Sequence, residues 1–266
     1  FCKALIFELK VVLMKTAENL VIVEKFDAIT VFTLNRTEKR NAFNEALTGA
    51  LDKAISDFED DASQWVGILT GGPEMFSAGS DMKDGSGSTQ RGGEYGLIRR
   101  TRLKPLIAAA EGLALGGGME ILFCCDLIVA SETLRLGLPE VKRGLLPTSG
   151  GLFRALRSLP LHVAKEVILT GEELSPSRAR EVGLISELVP EGQALEAALK
   201  IAAKIVSNSP TSTQESLKAM EAYLALNDVD AWGLTKTARK IVFASEDRKE
   251  GTSAFFERRE PSWKGR

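Results

Sequence analysis

The chain opens, past an irregular start, with two short runs rich in β-branched residues, "LVIVEKF" (20–26) and "ITVFTLN" (29–35). Only Asp27 and Ala28 separate them, which predicts a β-hairpin. The period then changes. In "EALTGALDKAISDFEDD" (45–61) the apolar residues Leu47, Ala50, Leu51, Ala54, Ile55 and Phe58 recur at helical spacing, and Asn44 stands where an N-cap belongs. "WVGILTG" (65–71) returns as a buried strand, so strand, helix and strand form a crossover unit of α/β type.

Residues 76–96, "FSAGSDMKDGSGSTQRGGEYG", are rich in Gly and Ser and poor in apolar positions, which predicts a loop, either plain surface or a substrate-facing lid. "LIAAAEG" (106–112) is the next strand, the glycines at 116–118 open a helix, and "DLIVAS" (126–131) and "LRLGLPE" (134–140) follow as strands. From about residue 150 the pattern turns mostly helical. "EGQALEAALKIAAKIVSNS" (191–209) and "PTSTQESLKAMEAYLALN" (210–227) are amphipathic helices suited to packing on the core or on another subunit. No repeat of fixed period is evident.

Composition narrows the class. With 266 residues, 44% apolar and 26% charged, the chain has the make-up of an ordinary soluble globular protein with room for a large core. A formal charge of −2 gives no global field toward nucleic acid or an anionic membrane. Three cysteines, Cys2, Cys124 and Cys125, make no disulfide framework and fit a reducing cytoplasm. The single histidine, His162, in a helix-like stretch after a proline, reads as structural, and with no Cys-x-x-Cys a zinc site is not expected. The first 13 residues, "FCKALIFELKVVL", are too short and too charged for a membrane span and lack a signal-peptide layout. They read as an extension ahead of Met14.

Two acids stand where acids are costly. Glu120 follows the triple glycine in "EGLALGGGMEILFCCDLIVAS" (111–131), inside an apolar run, where a carboxylate must be paired, hydrogen-bonded or protonated. Glycines at a strand-to-helix junction leave backbone N–H groups bare, apt for a phosphate or a transient oxyanion. The phosphate-loop patterns are absent, and tight helix–strand packing is the plain alternative. "FSAGSDMK" (76–83) is a second backbone-rich turn. It also spells S-x-x-K from Ser80 to Lys83, but the partner motifs S-D-N and K-T-G are missing, as is G-x-S-x-G. The second acid, Glu140 in "LGLPEVKRGLLPTSGG" (136–151), follows a proline that fixes φ.

In order, "NRTEKRNAFN", "FSAGSDMK", "IAAAEGLALGGGMEILFCCDLIVAS", "LGLPEVKRGLLPTSGG" and the ending "EGTSAFFERREPSWKGR" resemble the enoyl-CoA hydratase/isomerase family, the crotonases, from about Met14 to the C-terminus. Details of these motifs are most similar to the carnitinyl-CoA dehydratase branch. The resemblance implies an α/β fold, a crotonase-like spiral of ββα units over 14–205 with a C-terminal helical trimerisation region over 206–266, assembled as a homotrimer or a dimer of trimers. It implies an oxyanion hole from the backbone N–H groups of Ser80 and Gly117, and a water held by Glu120 and Glu140. Ala78, Asp81, Met82 and Lys83 fall where the family binds coenzyme A, as do Phe255 and Arg258 near the C-terminus. Ser80 replaces a frequent Ala, which a backbone donor tolerates, and Arg258 stands where Lys is common. Keeping both glutamates favours reversible hydration of a 2-enoyl-CoA in fatty-acid or related acyl-CoA metabolism. No metal or redox cofactor is implied, since CoA enters with the acyl-CoA substrate, and neither nucleic acid nor membrane is an implied partner. The alternatives are a carnitinyl-CoA dehydratase or an enoyl-CoA isomerase on the same scaffold, and, from another class, a non-catalytic RNA- or protein-binding relative.

Overall fold

The computed structural model describes residues 19–225 and 228–262; the extension expected at 1–13 and the last four residues of the C-terminal motif lie outside them. The hairpin forms as the β-branched runs dictate. Strands β1 (Val21–Phe26) and β2 (Ile29–Leu34) pair antiparallel about a left-handed Asp27. Helix α1 (Glu45–Asp60) follows, its first turn capped by Asn44, whose side-chain oxygen accepts the Leu47 N–H at 3.0 Å. Its last carbonyls are held by a buried lysine: Lys104 Nζ donates to Phe58 O at 2.6 Å and to Asp61 O at 2.7 Å. The chain then enters the wholly buried strand β3 (Val66–Thr70).

Residues 76–96 are mostly loop, as their composition predicts, with two-residue strands β4 (Ser88–Thr89) and β5 (Gly93–Glu94) paired inside it. Next come β6 (Leu106–Ala110), β7 (Leu113–Leu115), α2 (Gly117–Leu122), β8 (Leu127–Ser131) and β9 (Arg135–Gly137). A 3-10 turn, Pro139–Arg143, leads into α3 (Gly151–Ser158) and α4 (Leu161–Thr170), where His162 is exposed on the first turn. The chain continues through β10 (Glu173–Leu174), α5 (Pro176–Glu181), β11 (Glu187–Val189) and α6 (Ala194–Val206). It ends in α7 (Pro210–Ala225), α8 (Asp228–Ala244) and α9 (Glu246–Glu257).

Six strands form the main sheet in the order β1-β2-β3-β6-β8-β11, parallel except for the hairpin. A second sheet, β10-β9-β7, is extended by a single parallel bridge from Ser77 to Ala114. Successive windings therefore give one segment to each sheet: β3 then Ser77, β6 then β7, β8 then β9. That is a spiral. Side-chain alternation splits the core: Val31, Ile68, Ile107, Ala109 and Val129 face the alanines of α6, while Phe32, Leu34, Leu69, Ala108 and Ala110 join a larger cluster with α1. Phe32 and Phe58 meet edge to face there, ring centroids 5.5 Å apart. Glu111, buried at the end of β6, accepts the Ala194 N–H at 3.0 Å and so caps α6 against the sheet.

The sequence pattern predicts no strand between "LIAAAEG" and the glycines and a mostly helical course after about residue 150; the structure adds β7 in the first stretch and β10 and β11 in the second. No helix among the described residues is long and apolar enough to cross a membrane.

Candidate functional site

Two backbone turns meet above the spiral. Past β3 the chain is pinned by Asn41, whose side-chain nitrogen donates to Gly71 O and Phe76 O at 3.1 and 3.2 Å, and by Ser77 Oγ, which donates to Asn41 O at 2.8 Å. Gly79, at φ +87°, then lets the turn press against the start of α2. A Cβ there would lie 2.6 Å from Gly117 N and 2.7 Å from Leu115 O, so only glycine fits.

Ser80 follows in a parallel bridge with Phe43: Phe43 N donates to Gly79 O at 2.7 Å and Asp81 N to Phe43 O at 2.8 Å. The flanking groups are used by this bridge, and the Ser80 N–H takes no part in it. Gly117 is the first residue of α2, whose first intrahelical donor is the Glu120 N–H to Gly116 O at 3.0 Å, so its own N–H lies ahead of the helical ladder. Both residues line one cavity of about 1180 Å³.

The same cavity holds both glutamates. Glu120, 2% exposed, is turned by α2 toward the loop after the 3-10 turn, where its Oε1 accepts N–H bonds from Ser149 at 2.7 Å and Gly151 at 2.9 Å. Glu140 is in the first turn of Pro139–Arg143 and reaches back over the glycines: its Oε1 would be 3.1 Å from a Cβ on Gly116. Its Oε2 is buried without a hydrogen-bond partner among the described residues. Burial raises both carboxyl pKa values well above the carboxylate range; for Glu120 the charge of Glu140 adds to it, while the two amide bonds oppose it. The chemistry available is acid–base work near neutral pH beside two amides able to receive negative charge.

A carboxyl whose pKa rises on folding contributes stability that is fully present below the unfolded carboxylate pKa and is lost as pH climbs through the folded value. Glu120→Gln removes that liability and keeps an oxygen for the Ser149 and Gly151 amides. We therefore expect the Gln variant to match the parent near pH 5 and to exceed it by on the order of 1–2 kcal/mol near pH 9 in urea titrations. A difference that does not grow with pH would mean that Glu120 ionises freely in the fold.

Of the sequence-predicted residues, Ala78, Ser80, Asp81, Met82, Gly117, Glu120, Glu140 and Phe255 line the cavity. Lys83 and Arg258 do not. Lys83 is exposed beyond the turn, its N–H bonded to Asp81 Oδ1 at 3.0 Å. Arg258 sits at φ +55° as the residue that ends α9. The cations brought to the cavity by α8 and α9 are instead Lys236, Arg239 and Arg248, and Arg143 stacks over Phe255 at 5.0 Å. Asp81 builds the turn: Arg36 donates to it at 2.8 Å, and that bond, more than the Lys83 and Asp84 amides, holds its carboxyl below the usual range. Lys39 and Arg40 complete a basic rim. Among the described residues no cluster of His, Cys, Asp or Glu is placed to hold a metal ion.

Three features escape a reading of the sequence. The first is the Ser149/Gly151 amide cradle, whose trace is the "TSGG" that follows Glu140. The second is Tyr95, 2% exposed, with its hydroxyl 2.9 Å from Ser80 Oγ. The third is Trp232 of α8, which lines the cavity with the Arg99 guanidinium 3.7 Å from its ring centre; Arg99 is also paired with Glu94 at 2.8 Å.

Known proteins are similar to this chain in sequence and in fold. A family model described as enoyl-CoA hydratase/isomerase matches residues 24–266. The 2,3-dehydroadipyl-CoA hydratase of Escherichia coli is 35% identical over 251 residues, covering 92% of this chain and 98% of its own length. The short-chain-enoyl-CoA hydratase of Clostridium acetobutylicum is 35% identical over 250 residues, covering 91% and 96%. The crystal structure of carnitinyl-CoA hydratase from Mycobacterium avium superposes with a TM-score of 0.88 at 37% identity, over 93% of this chain and 99% of that one. The spiral described above is thus the crotonase fold, as the motifs led us to expect. The chain, matched along nearly its whole described length, belongs to the enoyl-CoA hydratase/isomerase family.

Proposed function

We propose that this protein is an enoyl-CoA hydratase, adding water reversibly across the double bond of a 2-enoyl-CoA thioester. The observation that carries the reading is the pair of buried carboxyls, Glu120 and Glu140, in one cavity with the open amides of Ser80 and Gly117. The two amides receive the thioester oxygen, where negative charge builds as a nucleophile attacks the β-carbon; each such donor is worth about 3 kcal/mol of transition-state stabilisation. The two amide bonds oppose the rise that burial and Glu140 impose on Glu120, and in its ionised form Glu120 takes a proton from water as the water oxygen bonds to the β-carbon. Glu140, whose Oε2 has no hydrogen-bond partner among the described residues, carries the proton delivered to the α-carbon. Water is thereby split between the two carbons, and the pair regains its starting state when the proton on Glu120 is returned to Glu140 through solvent. The basic rim suits the phosphates of CoA, with Met82 and Phe255 offering apolar contact. No metal or redox cofactor enters these steps.

For assembly we propose a homotrimer or a dimer of trimers in which the C-terminal region from 206 onward packs between subunits. Met220, Tyr223, Leu224, Ile241 and Phe256 on α7–α9 are exposed in the single chain, which supports it.

Carnitinyl-CoA dehydration is the second reading, favoured by the Mycobacterium avium structure named above. It must place a quaternary ammonium in the acyl pocket. The Trp232 face that suits such a cation is covered by Arg99, which weighs against it. Crotonyl-CoA, a 3-enoyl-CoA and crotonobetainyl-CoA assayed side by side separate hydratase, isomerase and carnitinyl-CoA chemistry. We expect crotonyl-CoA to give the highest kcat/KM, by about tenfold or more. Preference for either other ester overturns the assignment.

A further inference from the structure

We propose that Tyr95 is a positioning residue whose single phenolic oxygen fixes the two amide donors and Glu120 relative to one another. The proposal rests on the hydratase reading for the roles of those groups. Tyr95 Oη is 2.9 Å from Ser80 Oγ, which ties it to the first donor turn. It also lies against the second: a Cβ on Gly117 would fall 2.2 Å from Oη and 2.5 Å from Cζ, so the ring stands directly behind the residue that supplies the other amide. The third neighbour is Ser149, which lines the same cavity and whose side chain acts on the phenol. The backbone N–H of the same serine holds Glu120 Oε1 at 2.7 Å.

The ring cannot drift. It is 2% exposed and packs on Phe43 at 5.1 Å between centroids, and Phe43 is the residue whose backbone grips the Ser80 turn from the other side. Tyr95 holds φ +55°, a left-handed conformation that is costly for any side chain with a Cβ, between Gly93 and Gly96, which are also left-handed. A loop that needed only a tight turn would place another glycine there. The bulky residue stays because its ring and hydroxyl are needed at the end of that turn. Burial, with the charges of Glu120 and Glu140, keeps the phenol protonated, so it serves as a fixed hydrogen-bonding strut and takes no part in proton transfer.

Tyr95→Phe keeps the ring against Phe43 and Gly117 and removes only the hydroxyl. With crotonyl-CoA we expect kcat to fall about tenfold and KM to stay within about threefold. Ser80→Ala breaks the same bond without touching the aromatic packing, so it carries the test should the Phe variant fold poorly. The double variant is expected to be no slower than the slower single one. A readout independent of turnover is the red shift in the absorbance of cinnamoyl-CoA on binding, which reports polarisation of the acyl carbonyl. It should shrink in Tyr95→Phe at near-constant Kd. Unchanged kcat and red shift overturn the proposal, as does a raised KM with kcat kept, which would make the hydroxyl a ligand contact. If the parent enzyme hydrates no enoyl-CoA yet shows a red shift that Tyr95→Phe diminishes, the hydratase reading falls and the positioning role stands. No red shift in the parent removes both.

Discussion

Glu120→Gln and Glu140→Gln are each expected to lower kcat for crotonyl-CoA hydration by about a thousandfold, within the range by which a positioned acid or base accelerates proton transfer. The argument is one of chemistry at constant shape. Glutamine matches glutamate in size, and at position 120 its amide oxygen still accepts the Ser149 and Gly151 N–H groups that hold the side chain at 2.7 and 2.9 Å. What it lacks is the capacity to take or give a proton. Binding should be spared, since the cavity also carries Lys39, Arg40, Lys236, Arg239 and Arg248, basic groups suited to the phosphates of CoA. The Kd of butyryl-CoA, a saturated ester with nothing to hydrate, should change less than about fivefold in calorimetry. The double variant should be little slower than the worse single one, since acid and base act in one step on one water. Turnover close to the parent in either variant would remove the two-carboxylate mechanism.

These carboxyls were legible in the chain for a reason that does not apply everywhere. Glu120 sits in an apolar helix directly after glycines, and a charged group in such a run has few structural excuses. The hairpin, α1 with its Asn44 cap, and β3 were legible because each satisfies local rules within its own residues. Strands β7 and β11 were not. "LAL" and "ELV" are three residues each, too short for any period to register, and they are strands only because β9 and β8 offer a parallel edge. Tyr95 was hidden differently. Its neighbourhood, "RGGEYG", has loop composition, and the structure adds only the two-residue strand β5 there. Its meaning comes from contacts with Ser80, Ser149 and Gly117, the farthest of them 54 positions away along the chain. Lys83 and Arg258 show the converse limit. Similar motifs place them at the CoA site, while in the structure neither lines the cavity: Lys83 is exposed past the turn built by Asp81, and Arg258 follows the last residue of α9.

Gly117→Ala is the second change expected to abolish most of the activity, and it separates conformational freedom from room. Gly117 is not at positive φ, so alanine is acceptable to its backbone and, as a better helix former, would by itself favour α2 by about 1 kcal/mol. The obstacle is the Tyr95 ring: Oη, Cζ and Cε2 would stand 2.2, 2.5 and 2.9 Å from the new methyl group, all closer than carbon atoms approach. Tyr95 is walled in by Phe43 and the Ser80 turn, so either the ring or the N-terminus of α2 must shift. Any shift that clears the methyl moves the Gly117 N–H from the place where it is proposed to receive the acyl oxygen. Loss of one such donor lowers kcat by roughly a hundredfold or more. Gly49→Ala is the matched control: it lies in α1 with nothing within 4 Å of the added Cβ, and should stabilise the fold by up to about 1 kcal/mol with kcat unchanged. In a Tyr95→Leu background the obstruction is gone, and Gly117→Ala should cost far less there than in the parent. Equal losses in both backgrounds would show that the glycine is required for some reason other than the space filled by Tyr95.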